Sequence, residues 1–399
     1  VAVALSGGVD SSVALLHTLR RPRANVFGVF MRNWDAADEA GSTTCMADED
    51  EASAREVCRI LGVELHVVDL SKDYWNSVFV PTTEELVRGR TPNPDVLCNR
   101  MIKMGSFWEV CRDRFGATEL VTGHYARLHT PPALPGKDRP RPRLLRGVDE
   151  QKDQSYFLCM TKPEQLAHVR FPLGHLHKPA VRALAARAGL SAVAVRKDST
   201  GICFIGERRS NAAFWGEYLN LTPGRFVCID TGDVVGTHAG KEVLTEGQRA
   251  RVGGRQKPLY VARKLAEGPD VLVAEGLDHP ALRCTGVSVP LSSFAWLRRP
   301  PSPSRALRVH ARVRHRGILH AAHVAIGRPG RAEAAPAPVG RAAAQRGAWA
   351  AGEPVREQDF EEEVVVTFTA AGGVAAVAPG QVVAIYDGEE CIGGGAIGR

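Results

Sequence analysis

The beginning of the chain does most to limit how it can fold. Val1–Leu5 is a short apolar run, Ser6-Gly7-Gly8-Val9-Asp10-Ser11-Ser12 follows, and Val13–Leu19 carries its apolar residues at helical spacing. That reads as strand, glycine turn, helix. Further apolar runs stand at Val26–Met31, Val63–Leu70 and Leu120–Thr122, with a helix-like stretch from Glu49 to Leu61 between the first two. Strands alternating with helices predict a parallel sheet covered on both faces, and this α/β domain is expected over residues 1–205.

A chain of 399 residues exceeds what one core commonly sustains, so two or three domains are expected. Beyond residue 222 short β-rich runs, Phe226–Ile229 and Leu272–Ala274, are separated by Gly, Pro and Asp. They predict a small mostly-β central domain at 206–280. Ala306–Val313, Glu363–Thr369, Gln381–Tyr386 and Cys391–Ile397 predict a C-terminal β-barrel at 281–399, interrupted by a low-complexity Ala/Arg/Gly/Pro insertion at about 328–354. The Pro- and Arg-rich segment 129–143 reads as an exposed loop insertion. Hydrophobic residues at 44% and charged residues at 24% exclude a disordered or fibrous chain. No apolar run approaches the ~20 residues that cross a bilayer, so no membrane partner is expected.

Lys and Arg exceed Asp and Glu by 51 − 44 = +7, which permits a polyanionic partner. The excess is uneven: residues 298–331 hold nine Arg and four His and no acid. Over 306–316 the basic residues alternate with Leu307, Val309 and Val313, which predicts a strand with one basic face suited to nucleic acid. The nine cysteines are odd in number and form no CxxC pair, which argues for thiols in a reducing compartment and against a disulfide scaffold or zinc ribbon.

The glycine turn has the chemistry of an anion site. Two glycines bring backbone N–H groups close to a ligand, the helix start adds partial positive charge, and serines add hydroxyls. The Gly-Lys-[Ser/Thr] ending of a Walker A loop is missing. The turn instead resembles the pyrophosphatase-type PP-loop of adenylating enzymes, which holds the pyrophosphate of ATP cleaved between its α and β phosphates.

Two cysteines stand in polar surroundings. Arg90-Thr91-Pro92-Asn93-Pro94-Asp95-Val96-Leu97-Cys98-Asn99 is a proline-stiffened turn. Asp95 and Cys98 are one helical turn apart, with Arg100 and Lys103 near enough to favour a thiolate. Cys203 lies in Asp198-Ser199-Thr200-Gly201-Ile202-Cys203-Phe204-Ile205-Gly206-Glu207, between glycines and near Lys197, Arg208 and Arg209. A thiolate there could carry a persulfide sulfur. Taken alone, Cys203 could equally be a packing residue, whereas the polar, proline-rich surroundings of Cys98 argue against its being a buried core thiol.

Taken together, SGGVDSS, Phe30-Met31-Arg32-Asn33-Trp34, TPNPDVLCN, TGHYAR (122–127), KDQSYFL (152–158), DSTGICFIGE, Pro379-Gly380-Gln381 and Cys391-Ile392-Gly393-Gly394-Gly395 resemble the tRNA-specific 2-thiouridylase family, in order and over nearly the whole chain. The resemblance implies a Rossmann-like PP-loop domain, a small central domain and a C-terminal β-barrel. It implies ATP-dependent adenylation of O2 of the wobble uridine of tRNA, then persulfide sulfur transfer. It assigns Ala4, Leu5, Ser6, Gly7, Gly8, Val9, Asp10, Ser11, Met31 and Gly123 to ATP, and Asn93, Pro94 and Asp95 to the target base. Cys98 would be the nucleophile, Cys203 the persulfide carrier, and Asp95 the acid/base. His124, Lys152, Asp153, Gln154, Arg314, His315 and Gln381 would meet tRNA. Mg²⁺ is expected with ATP, and no protein motif for a metal is seen. A persulfide donor protein and a reductant for a transient Cys98–Cys203 disulfide are the other implied partners. The basic pI and the insertions point to the mitochondrial matrix; a bacterial enzyme would be cytoplasmic.

The sequence departs from the family pattern in three places. Met104 stands where Phe is usual, Glu246 stands where Leu is usual in Leu244-Thr245-Glu246-Gly247-Gln248-Arg249, and Val80-Pro81-Thr82-Thr83 lacks expected apolar residues. Two other readings share the loop. A small-molecule PP-loop synthetase would not need two loop cysteines or a basic β tail. A non-catalytic tRNA-binding relative would be expected to have lost the loop or the cysteines.

Overall fold

The computed structural model describes residues 1–34, 46–132, 140–198, 211–302, 306–327 and 362–398. Cys203, the insertion at 328–354 and the middle of the Pro/Arg segment lie outside them.

The first sheet contains β1 (Ala2–Leu5), β2 (Phe27–Arg32), β3 (Leu65–Asp69) and β4 (Leu120–Val121). Beyond a hairpin, β5 (Ala126–His129) and β6 (Arg143–Arg146), it gains β7 (Val169–Arg170). Its order is β3-β2-β1-β4-β7, all parallel. Alternate residues of these apolar strands feed two cores. Ala2, Val29, Met31 and Leu120 enter one, while Val3, Leu5, Phe30 and Val121 enter the other with Val9, Val13 and Leu15 of helix α1 (Val9–Leu19). Strands buried on both faces read as unbroken apolar runs, which is why they were legible in the sequence. The strand order reverses at β1, between β2 and β4. In open parallel sheets the crevice at the carboxyl ends of such strands is where ligands bind.

The second sheet is formed by β8 (Gly224–Cys228), β9 (Val234–His238), β10 (Leu259–Lys264) and β11 (Val271–Glu275), in the order β10-β11-β8-β9. β12 (Arg283–Cys284) pairs with a later two-residue strand. The third sheet has nine strands. From the C-terminal region come β13 (Gly286–Pro290), β14 (Ala295–Trp296), β15 (Leu307–Arg312), β16 (His320–Gly327) and β17 (Glu363–Phe368); β18 (Val374–Ala375) is the partner of β12. β19 (Val382–Asp387) and β20 (Glu390–Ala396) complete that contribution. The sheet curls around Val289, Val309, Val324, Val366 and Ile385, and the chain end returns to β13 where Gly398 N donates to Ser288 O (2.8 Å).

The segment at 129–143 is a loop with exposed ends, as expected, but the strands that flank it are not among the expected ones: His129 ends β5, Arg143 opens β6, and β6 pairs with β20 (Leu144↔Cys391, Leu145↔Glu390). The first half of the chain therefore supplies two strands to the C-terminal sheet, because Ala126 and Leu144 are apolar and fully buried there. The basic face expected over 306–316 is not uniform. Arg308 and His310 are exposed, but Arg312 turns inward, buried against Asp153 (3.0 Å).

Candidate active site

The loop after β1 turns on Gly7, whose φ of +69° and closeness to Asp50 leave no room for a side chain; a Cβ would stand 2.3 Å from Asp50 O. Its carbonyl is held from behind by Ser53 Oγ (2.8 Å) and Arg196 Nη1 (3.1 Å). Gly8 caps α1 without a side chain, so the first-turn N–H groups receive no side-chain cap. Ser11 and Ser12 hydroxyls donate to Gly8 O (3.0 and 2.8 Å), and Ser6 N donates to Ser11 Oγ (3.2 Å). The loop after β4 closes over this turn: a Cβ on Gly123 would stand 2.8 Å from the Asp10 carbonyl carbon. Met31 is the last residue but one of β2 on the same edge of the sheet, and Ala4 and Leu5 end β1. The residues expected at ATP thus surround one cradle at the strand switch point. Backbone donors, helix start and absent side chains together suit a polyphosphate.

Asn93 caps the short helix Pro94–Leu97, its Oδ1 accepting from Val96 N (3.3 Å). Asp95 stands half-buried in the first turn, while Cys98 follows the helix and is fully buried with Val96, Ile102 and Met104. Met104, unusual at its position, thus fills the core as a soft apolar residue. The polar sequence around Cys98 had argued against such burial. It arises because the helical turn points Val96 and Cys98 inward and leaves Asp95 outward. The Tyr156 hydroxyl donates to Val382 O (2.9 Å) and receives the Asn93 amide, so the turn is braced by the KDQSYFL segment.

The turn is also anchored to both other domains. Thr91 N donates to Pro379 O (2.8 Å) and Gln381 Nε2 donates to Thr91 O (3.0 Å). Lys264 Nζ reaches Thr91 Oγ1 (3.2 Å). Arg90 donates to the carbonyls of Ile397 and Gly398 (3.3 and 3.0 Å). Lys264 is depressed to about 8 by burial, with Glu246 opposing that shift. Burial in turn raises the Glu246 carboxyl, against hydrogen bonding from the Lys264 backbone. The unexpected acid therefore serves as neighbour to a buried ammonium.

The residues expected at tRNA divide into two groups. Arg314 is exposed, and Lys152 is partly so, its Nζ paired with Asp198 (2.6 Å). His315 packs on Phe157 (4.4 Å between ring centres), held below its usual range by burial and neighbouring arginines. Asp153, by contrast, is 1% exposed. It accepts from Gly147 N (3.0 Å), Ser155 N (3.1 Å) and Arg312, so its carboxylate is committed to shaping the loop. Gln154 brackets Tyr125, its Oε1 accepting from Tyr125 N (2.9 Å). His124 is buried, its Nδ1 sharing a hydrogen bond with Thr122 Oγ1 (2.7 Å). Gln381 is committed to Thr91, as above.

Sequence reasoning missed Tyr125, Lys178, Arg196 and Asp198. Tyr125 OH donates to Asp10 Oδ1 (2.7 Å), and Lys178 Nζ lies 2.8 Å from both Asp10 oxygens. Tyr125 stood within a quoted motif. Lys178 had no local signal, since its partners are remote in sequence.

The other thiols among the described residues are also buried or half-buried. Desolvation pushes Cys58 and Cys284 up to about 11 and Cys111 up to about 12, and drives Cys159 and Cys391 higher still. Such thiols are inert packing groups at neutral pH.

A Rossmann-like domain with this loop at its switch point, followed by two β domains, defines a nucleotide-binding protein of the HUP class. Residues 1–207 match the family described as tRNA methyl transferase HUP domain, 212–275 its PRC-barrel domain, and 354–397 an aminomethyltransferase beta-barrel domain. A tRNA-specific 2-thiouridylase MnmA of Citrobacter koseri is 40% identical over 403 residues, covering 100% of this chain and 96% of the relative. The mitochondrial tRNA-specific 2-thiouridylase 1 of Mus musculus is 36% identical over 419 residues, covering 100% and 91%. The chain belongs to the tRNA-specific 2-thiouridylase family.

Proposed function

We propose that this chain is a tRNA-uridine 2-sulfurtransferase that converts the wobble uridine of tRNA to 2-thiouridine with ATP. The observation that carries the reading is one cradle and one braced turn in a single chain: the nucleotide loop Ser6–Ser12 under Gly123, and the Asn93–Cys98 turn anchored by all three domains. A uracil C2 carbonyl has no leaving group. Attack of O2 on the α-phosphate of ATP expels pyrophosphate and makes one. The outer sulfur of a Cys203 persulfide then bonds to C2, and AMP departs with the former O2. Cys98 thiolate takes the inner sulfur, breaking the persulfide S–S bond and leaving a Cys98–Cys203 disulfide. An external dithiol supplies the two electrons that reopen it, and a donor protein reloads Cys203 with persulfide. Asn93, Pro94 and Asp95 frame the extruded base, with Asp95 moving protons.

Mg²⁺ would come with the ATP phosphates and neutralise them; the hydroxyls of Ser6 and Ser11 are oxygen groups of the hard type it prefers, while both Asp10 oxygens are already engaged by Lys178. Lys152, Arg314 and the exposed face of Arg308 and His310 offer cations to the tRNA backbone, which a net charge of +7 supports. The matrix location rests on the basic pI and the insertions, and imaging the tagged full-length gene product tests it.

The deciding assay mixes protein, ATP, a persulfide donor and tRNA and looks for 2-thiouridine by mass spectrometry. Cys98→Ser and Cys203→Ser should each abolish the product, while Cys159→Ser should retain it. Full activity of either of the first two sinks the two-thiol scheme, and native protein that thiolates no competent tRNA sinks the reading itself.

A further inference from the structure

Residues 196–198, the last described before the segment that carries Cys203, are fastened to the nucleotide loop at two places. Arg196 donates to Gly7 O while its Nη2 pairs with Asp50 at 2.6 Å. Two residues on, Asp198 meets Lys178 Nζ at 2.9 Å, and the same ammonium reaches both oxygens of Asp10 at 2.8 Å. Asp198 also takes Lys152 Nζ and Arg182 Nη2, each at 2.6 Å. Arg182 in turn donates to the carbonyls of Ala194 and Arg196 (2.5 and 2.9 Å). Burial alone would raise the Asp198 carboxyl, but the Lys152 and Lys178 hydrogen bonds outweigh it and hold the group at about 2.

Lys178 is the divider in this network. Its side chain is only 10% exposed, and it serves two carboxylates, one in the nucleotide loop and one before the Cys203 segment. An ammonium shared between two acids is drawn toward whichever is less well neutralised. Lys152, together with Arg182, therefore sets how much of Lys178 is left for Asp10, although among the described residues Lys152 reaches Asp10 through Asp198 and Lys178. An unneutralised carboxylate in the first turn of α1 opposes a polyphosphate held by that turn.

We propose that Lys178 is a positioning residue for the nucleotide loop and that Asp198 couples it to Lys152, so that the hold on ATP depends on what Lys152 is bound to. The proposal takes the ligands at the two ends, ATP and tRNA, from the thiouridylase reading. Reciprocity makes the coupling run both ways: whatever draws Lys152 from Asp198 loosens the nucleotide, and the nucleotide opposes that withdrawal.

The test is a double-mutant cycle on the full chain, measuring the Kd of Mg-α,β-methylene-ATP by calorimetry. Lys178→Met should weaken binding tenfold or more, and Lys178→Arg should restore it to within threefold of native, which a defect of folding would not allow. Lys152→Met should weaken binding at least threefold. In an Asp198→Asn background Lys152→Met should add nothing. An equal effect of Lys152→Met in both backgrounds, or none in the native one, overturns the coupling. The readout needs no sulfur transfer. A chain that shows the cycle but makes no 2-thiouridine refutes the activity alone; one that thiolates with additive effects refutes the coupling alone.

Discussion

His124 shows how one side chain reports its surroundings. Burial and the nearby Lys103 charge hold its ring well below the usual 6.5, and its Nδ1 is committed to Thr122. The folded ring stays neutral where the unfolded chain takes a proton. Stability from this group is therefore full above pH 6.5 and lost as pH falls below it, by roughly 1.4 kcal/mol per pH unit. Thermal melts of native protein and His124→Gln should diverge in slope between pH 6.5 and 5; parallel curves would contradict a neutral buried ring. At this scale the strand, turn and helix around Ser6–Ser12 were legible because they are contiguous. Asp153 was not. Lys152-Asp153-Gln154 reads as one polar triplet, yet Lys152 pairs with Asp198, Asp153 turns into the loop and Gln154 binds Tyr125.

Among elements, β15 joins surface and interior. Arg308 and His310 face outward, while Arg312 lies over the Tyr386 ring (5.5 Å) and pairs with Asp153. Arg312→Met should cost about 3–5 kcal/mol, read by chemical denaturation, because Asp153 is left as an uncompensated buried charge. The double variant with Asp153→Asn should recover part of that loss. The period of this strand was readable and its inward arginine was not, since the partner carboxylate is 159 positions away. The same holds for β5 and β6. The loop between them was readable, but nothing local says that the flanking strands form a hairpin or that β6 joins β20.

Across the whole molecule, Thr91 is where the three domains meet, two residues before the Asn93–Cys98 turn. Gly380 makes that meeting possible: its φ is +89°, and a Cβ would stand 2.8 Å from Thr91 N. Gly380→Ala should lower the thiolation rate tenfold or more while leaving the ATP analogue Kd within twofold, since the nucleotide loop does not touch Thr91. A matched loss of nucleotide affinity would show that the clasp acts on the first domain as a whole. The number and class of domains were readable from composition and rhythm. Their mutual anchoring was not, because it is made by backbone carbonyls and by side chains from distant segments.

The hairpin that the first half of the chain lends to the last sheet also sets a schedule for synthesis. Arg143 finds its partner Glu390 only 247 positions later, which at roughly 5–20 residues per second leaves the β6 edge without β20 for roughly 12–50 s. An open strand edge invites pairing with other chains. Arg127 and Arg143, which line this hairpin and later meet Glu389 and Glu390, keep that edge charged during the wait. The nascent chain thus carries its own guard against aggregation until β20 leaves the ribosome.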